Sequence, residues 1–345
     1  EEALAKAKTV QAELNAFITI AEQEALAKAD VIDAKVAASE ELGSLAGVPV
    51  VIKDNICTKG IKTTAGSETL ESFVPPYNAT VIERLESAGA IIIAKANLDE
   101  FGMGSSNENS AFGLAKNPWD NSRVPGGSSG GSAIAVAAGV SPIALGTDTG
   151  GSVRQPAAFN GIVGFKPTYG RLSRYGVIAF ASSLDQVGVL ARSAQDIALV
   201  MDVMGGHDVL DATSIPKDTP EFSKALAGSN DLKGMKIGVV SELVAEGNSA
   251  GVVESVEKTK TLLEELGAEV GEVSLPKVPH GISTYYLVAP AEASANLARY
   301  DAMVYSKRIG ENALGQADVM MKSRGVTLGP EVRRRILMGT YALSS

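Results

Sequence analysis

Residues 125–155 read Pro-Gly-Gly-Ser-Ser-Gly-Gly-Ser-Ala-Ile-Ala-Val-Ala-Ala-Gly-Val-Ser-Pro-Ile-Ala-Leu-Gly-Thr-Asp-Thr-Gly-Gly-Ser-Val-Arg-Gln, two Gly/Ser loops around a short apolar core. The apolar run between the loops predicts a helix over 132–138 and a strand over 143–146. So much glycine is entropically costly to order, which makes sense where backbone N–H groups must approach a ligand closely. The two loops offer Ser128 and Ser152 as hydroxyls, 24 residues apart.

Working outward, a third segment stands 75 residues before Ser128: Val-Pro-Val-Val-Ile-Lys-Asp-Asn-Ile, which contains Lys53. Its continuous apolar run predicts a buried strand over 50–52 ending at Lys53. Residues 1–40 alternate apolar and charged side chains at helical spacing and predict two surface helices. A helix is expected over 80–88, a strand over 91–94, and the start of a capped helix at 97–101. Further on come a helix over 193–204, a surface connection over 208–232, a strand over 235–240, a helix over 250–266, a strand over 268–273 and a helix over 331–343. Strand and helix alternate throughout, so the fold class is α/β, with a sheet covered on both faces. Both chain ends read as cut. The whole is expected to be one domain, with helices in 1–40, the chemistry in 41–205 and a second part of the core in 206–345.

Composition removes several classes of function. A net charge of −9 argues against a nucleic-acid surface on this chain. The single cysteine, Cys57, permits no intrachain disulfide and suits a reducing compartment. No apolar run approaches the roughly 20 residues that cross a bilayer. The expected location is therefore the cytoplasm, or an organellar matrix in a eukaryote. Only His207 and His280 occur, both in loop-like contexts. They give neither a Ser-His-Asp triad nor, with one cysteine, a zinc cluster; Cys57 reads as a small buried side chain. The Gly/Ser loop lacks the Gly-Lys-Ser/Thr ending of a phosphate loop.

Serine chemistry with a non-histidine base remains. Burial disfavours an ammonium, so a lysine at the end of an apolar strand can lose its proton near neutral pH. Lys53 meets that condition, although a lysine that reaches out to solvent is the plain alternative. The Thr149-Gly150-Gly151-Ser152 turn can present a hydroxyl while aiming N–H groups at a developing oxyanion.

Val-Ile-Lys-Asp-Asn-Ile, Val-Pro-Gly-Gly-Ser-Ser-Gly-Gly-Ser-Ala and Gly-Thr-Asp-Thr-Gly-Gly-Ser-Val-Arg-Gln-Pro-Ala, in this order and spacing, resemble the amidase signature family. The stretches 97–113, 179–188, 291–301 and 334–345 resemble its glutamyl-tRNA(Gln)/aspartyl-tRNA(Asn) amidotransferase branch. The resemblance implies a three-layer α/β/α sandwich with a mixed central sheet. It implies that Ser152 is the nucleophile and that Ser128, after a cis peptide, relays the proton to Lys53. Backbone N–H groups of Thr149, Gly150, Gly151 and Ser152 would hold the oxyanion. Glutamine would be the substrate, with Arg334 on its carboxylate and Tyr285 as a hydroxyl donor; Tyr286, Arg333 and Arg335 are the neighbouring registers. No cofactor or metal is implied for this chain. ATP and Mg²⁺ would bind a partner subunit of a heterotrimer with subunits B and C, and mischarged tRNA would be met through that partner. The alternative is a stand-alone amidase for small or acyl amides.

Overall fold

The computed structural model describes residues 1–226, 231–244 and 247–344. The first of its two compact units, residues 1–223 and 288–345, holds a six-stranded sheet in the order β1-β3-β2-β4-β6-β5. The strands are β1 (Phe17–Ile20), β2 (Pro49–Lys53), β3 (Ile91–Ala96), β4 (Ile143–Asp148), β5 (Val163–Phe165) and β6 (Gln186–Ala191). The central trio β3, β2 and β4 is parallel, and β1, β6 and β5 join antiparallel. The sheet is therefore mixed, as expected.

The central strands are apolar without alternation because both faces are covered. The side chains of Val51, Ile91, Ile93 and Ala144 pack on one face with helices α1 (Glu2–Leu14) and α2 (Glu22–Ala37). Val50, Ile52, Ile92 and Leu145 pack on the other with α3 (Thr80–Ser87). α4 (Gly130–Ala137) and α5 (Arg154–Asn160) join the first face, and α6 (Ala194–Met204) joins the second. With a side-chain period of two, Lys53 shares the face of Val51, the face that α4 covers.

Among the elements that the sequence does not make legible are β1, β5, β6 and α5, each seven residues or fewer. The helix expected to start at 97–101 is a 3-10 turn, Glu100–Gly102, in which Phe101 is left-handed (φ 51°). Residues 208–232 are more than a surface connection. Asp208 and Asp211 are buried there, Asp208 accepting from Thr80 Oγ1 and Ser173 Oγ. The short α7 (Phe222–Leu226) follows, and residues 227–230 lie outside the described ones.

The second unit, residues 224–287, carries the parallel pair β7 (Lys236–Val240) and β8 (Glu269–Val273), with α8 (Ala250–Glu265) between them. α9 (Gly281–Asn296) starts there; α10 (Gln316–Thr327) and α11 (Pro330–Leu343) belong to the first unit. The unit boundaries fall after residues 223 and 287. Among the described residues, no helix is long and apolar enough to cross a membrane.

Candidate active site

Parallel β2 and β4 end side by side, and the chain beyond each supplies the chemistry, at the strand ends where α/β sheets commonly bind ligands. Lys53 closes β2 and is wholly buried. Its Nζ donates to Ser128 Oγ at 2.7 Å, to Thr147 Oγ1 at 2.9 Å and to the Thr147 carbonyl at 3.2 Å. Asn55 Nδ2 donates to the same Thr147 hydroxyl at 3.0 Å, fixing its rotamer. A lysine reaching solvent is thereby ruled out.

Ser128 stands just before α4, after a cis Gly127–Ser128 peptide bond. Gly127 cannot carry a side chain, because a Cβ there would strike the Asp99 carboxylate. The neighbouring Ser129 N–H donates to the Ser152 carbonyl at 3.1 Å, which ties the two serine loops together. Ser152 is 8% exposed, and its hydroxyl makes no hydrogen bond among the described residues. Lys53 and Ser128 are thus locked, while Ser152 is left open to an incoming group.

Burial pulls the Lys53 amine down to about 7, against the attraction of Asp99, Asp148 and Asp185. A substantial fraction is therefore neutral near pH 7 and able to accept a proton. The three carboxylates have separate structural duties. Asp99 accepts from the N–H groups of Asn107 and Asn109. Asp148 accepts from the N–H groups of Gly151 and Val153, and from Arg154 through Nε and Nη2, both at 3.0 Å. Burial raises the Asp148 carboxyl, but Arg154 and these N–H groups outweigh it and hold the group below its ordinary value. Asp185 accepts from Thr149 Oγ1 at 2.6 Å and from the N–H groups of Phe180 and Ala181.

These bonds narrow the expected oxyanion donors. Gly151 N–H is committed to Asp148 Oδ1 at 2.8 Å, so it drops out of the set. The N–H groups of Thr149, Gly150 and Ser152 donate to nothing else among the described residues. Gly151, at φ 134°, has a conformation that L side chains rarely adopt, which accounts for the glycine.

The residues expected to select substrate are placed less simply. Arg334 is half exposed on α11, where Glu331 accepts from its Nε and Nη2, each at 2.7 Å, and Met338 Sδ accepts from its Nη1. Its neighbour Arg335 is 4% exposed, with its guanidinium 5.7 Å from the Phe180 ring centre. A Cβ placed on Gly102 would stand 3.9 Å from Phe180 Cβ and 3.7 Å from Ser128 Oγ, so Gly102 lies between the two. The buried cation nearest the serines on α11 is therefore Arg335, one position beyond the expected Arg334. Tyr285 belongs to the second unit, half-buried on α9, its ring edge-on to Tyr286 at 5.3 Å. His207 and His280 are exposed and Cys57 is buried.

Thr147, Asn55, Asp99 and Asp185 are site residues that the sequence reading misses. Asn55 and Thr147 stand inside the quoted motifs, and that adjacency is the available signal. Asp99 and Asp185 act through backbone N–H groups that no residue pattern announces.

A buried lysine bonded to one serine, with a second serine open beside unengaged N–H groups, defines a hydrolase that replaces histidine with lysine. The amidase family model matches residues 1–345. Two relatives named as the A subunit of glutamyl-tRNA(Gln) amidotransferase are each 52% identical to this chain. One, from a Cyanothece species, is matched by all of this chain over 71% of its own length; for the other, from Alkaliphilus metalliredigens, the shares are 98% and 68%. The solved Thermotoga maritima protein of that name is 41% identical, with a TM-score of 0.78 over 99% of this chain and 66% of that one. A peptide amidase solved with the inhibitor chymostatin is 28% identical, with a TM-score of 0.81 over 99% of this chain and 72% of that one. This chain belongs to the amidase family.

Proposed function

We propose that this chain is the glutaminase subunit of a tRNA-dependent amidotransferase. The observation that carries the amide chemistry is the 2.7 Å bond from Lys53 to Ser128 beside the open Ser152 hydroxyl. The names of relatives at about half identity over the whole chain support the amidotransferase assignment. In this reading Ser152 Oγ attacks the side-chain amide carbon of glutamine. Its proton passes to Ser128 as the Ser128 proton passes to the neutral Lys53 amine. The N–H groups of Thr149, Gly150 and Ser152 receive the oxyanion. The Lys53 ammonium returns a proton through Ser128 to the leaving nitrogen, the C–N bond breaks, and ammonia leaves a Ser152 ester. Water then frees glutamate by the same proton route in reverse.

The substrate carboxylate needs a cation shielded from water, where a charge-assisted pair is strongest. Glu331 pairs with both arginines at 2.7 Å, and Arg335 fits that role better than Arg334 because its guanidinium is buried while that of Arg334 is half exposed. Tyr285 remains a proposed hydroxyl donor. The ammonia would pass to partner subunits B and C, where ATP and Mg²⁺ would activate mischarged tRNA; the acidic charge of this chain agrees with tRNA being met elsewhere.

The test is ammonia release from glutamine by the full-length protein, alone and with candidate partner subunits, beside a simple acyl amide. Glutamine turnover that rises with the partners supports the proposal. Turnover of the simple amide alone, indifferent to partners, overturns it in favour of a free-standing amidase.

A further inference from the structure

Glu100 is a buried carboxyl that takes no part in the proton route. Its Oε1 accepts from Ser67 Oγ, and its Oε2 accepts from Gly329 N–H at 2.8 Å. Gly329 is the N-cap of α11, so the carboxyl takes up a backbone donor at the start of the helix that carries Arg335. A Cβ at Gly329 would collide with Oε2, so a side chain there would displace the Glu100 carboxyl from the helix start. Ser67 also reaches the Thr327 carbonyl, and Thr69 Oγ1 pairs with Thr327 Oγ1 at 2.9 Å, bracing the same joint.

On its other side Glu100 belongs to the turn that touches the chemistry. Asp99 N–H donates to the Ser128 carbonyl at 3.3 Å, and Gly102 lies against Ser128 Oγ. Phe101 N–H donates to the Ala65 carbonyl at 2.8 Å, which holds the turn in its left-handed form. Glu100 therefore joins, within one residue, the serine that relays the proton and the helix that carries the buried arginine.

We propose that Glu100 is a positioning residue that sets the separation between the serines and Arg335, and so governs affinity for a substrate bearing a carboxylate rather than the amide chemistry itself. The inference rests on the reading that glutamine is the substrate. Burial pushes the Glu100 carboxyl up to about 7, with Glu68 and Arg333 the next charges acting on it. Glu108 and Glu331 line the same cavity. Above that pH both oxygens accept; below it one becomes a donor and the joint loosens, so glutamine KM rises as pH falls. Lys53 titrates nearby, but it acts on every amide alike and cancels in a ratio of two substrates.

The experiment measures kcat and KM for ammonia release from glutamine and from propionamide, which has no carboxylate. It compares the full-length wild type with Glu100→Gln and Gly329→Ala, from pH 5.5 to about 8.5, with partner subunits present. Expected for both variants is a rise of about tenfold in glutamine KM, with kcat and the propionamide constants within about twofold of wild type. In Glu100→Gln the ratio of the two substrates' kcat/KM also loses its change near pH 7. Gly329→Ala reaches the same joint from the helix side if Glu100→Gln fails to fold. An unchanged glutamine KM in either folded variant, or equal losses on both substrates, overturns the inference while leaving the glutaminase reading intact. A wild type that releases ammonia only from propionamide overturns both.

Discussion

Lys53, Ser128 and Thr147 hold one another through contacts drawn from residues 53 to 152, on strand ends and loops of the central sheet. Arg334 and Arg335 of α11 pair instead with Glu331 on their own helix, and Glu100 and Ser67 hold the segment at the start of that helix through Gly329 N–H and the Thr327 carbonyl. The first region is over-determined: one amine meets three oxygen atoms, and a backbone bond from Ser129 N–H to the Ser152 carbonyl joins the two serine loops. The second relies on side-chain ion pairs and a side-chain cap rather than on strand backbone. Rigid strand ends suit a proton route that must be right to a fraction of an ångström. A helix placed by side-chain contacts suits selection, where relatives with one chemistry can differ in substrate.

The comparison breaks outright if the strand-end region proves dispensable. Ser152→Ala should lower ammonia release by at least about 10³-fold with an unchanged melting temperature, as it deletes only the nucleophile; turnover near wild type would remove Ser152 from the chemistry. Lys53→Met should lose comparable activity yet gain stability at pH 7. The folded Lys53 value of about 7 lies below the ordinary 10.5 of the unfolded chain. Between those values the unfolded chain binds more protons, so wild-type stability rises with pH across that window. Chemical denaturation at pH 7 and pH 9 should show that slope in wild type and a weaker one in Lys53→Met.

A smaller effect tests the selection region. Arg335→Ala should raise glutamine KM by about 10²-fold, the loss expected when a buried charged partner goes, and leave a neutral amide almost untouched. Arg334→Ala should change it by no more than about threefold, because that guanidinium is exposed and its ion pair weak. The reverse order of effects would return the role to Arg334. Between these two lies Thr147→Val, which removes one of the oxygens around Nζ; kcat should fall by about tenfold on both substrates alike.

The same contrast explains what is legible in the sequence. Apolar runs such as 50–52 and 143–146 predict β2 and β4 because burial on both faces leaves no other pattern. Lys53, Ser128 and Ser152 stand out because glycine-rich loops and an isolated lysine after an apolar strand are unusual. Phe101 misleads, since Asn97-Leu-Asp-Glu-Phe looks like a capped helix start. The structure uses those residues as a turn because Asp99 is bound by the nearby Asn107 and Glu100 by Gly329, far along the chain. Arg334 and Arg335 are indistinguishable in a run of three arginines, where one step along a helix turns a side chain by about 100°. Only packing against Phe180 separates them. Gly151 reads as an oxyanion donor because a sequence does not show which N–H already has an acceptor.

The central claim is that burial lets Lys53 serve as the neutral base, and the pH dependence of kcat/KM for propionamide tests it most directly. That substrate has no carboxylate to involve the arginines or Glu100. The account predicts a rise of about tenfold per pH unit below about 7 and a plateau above it. A profile that is flat from pH 5.5 to about 9, or that rises only toward the ordinary lysine value, would contradict it.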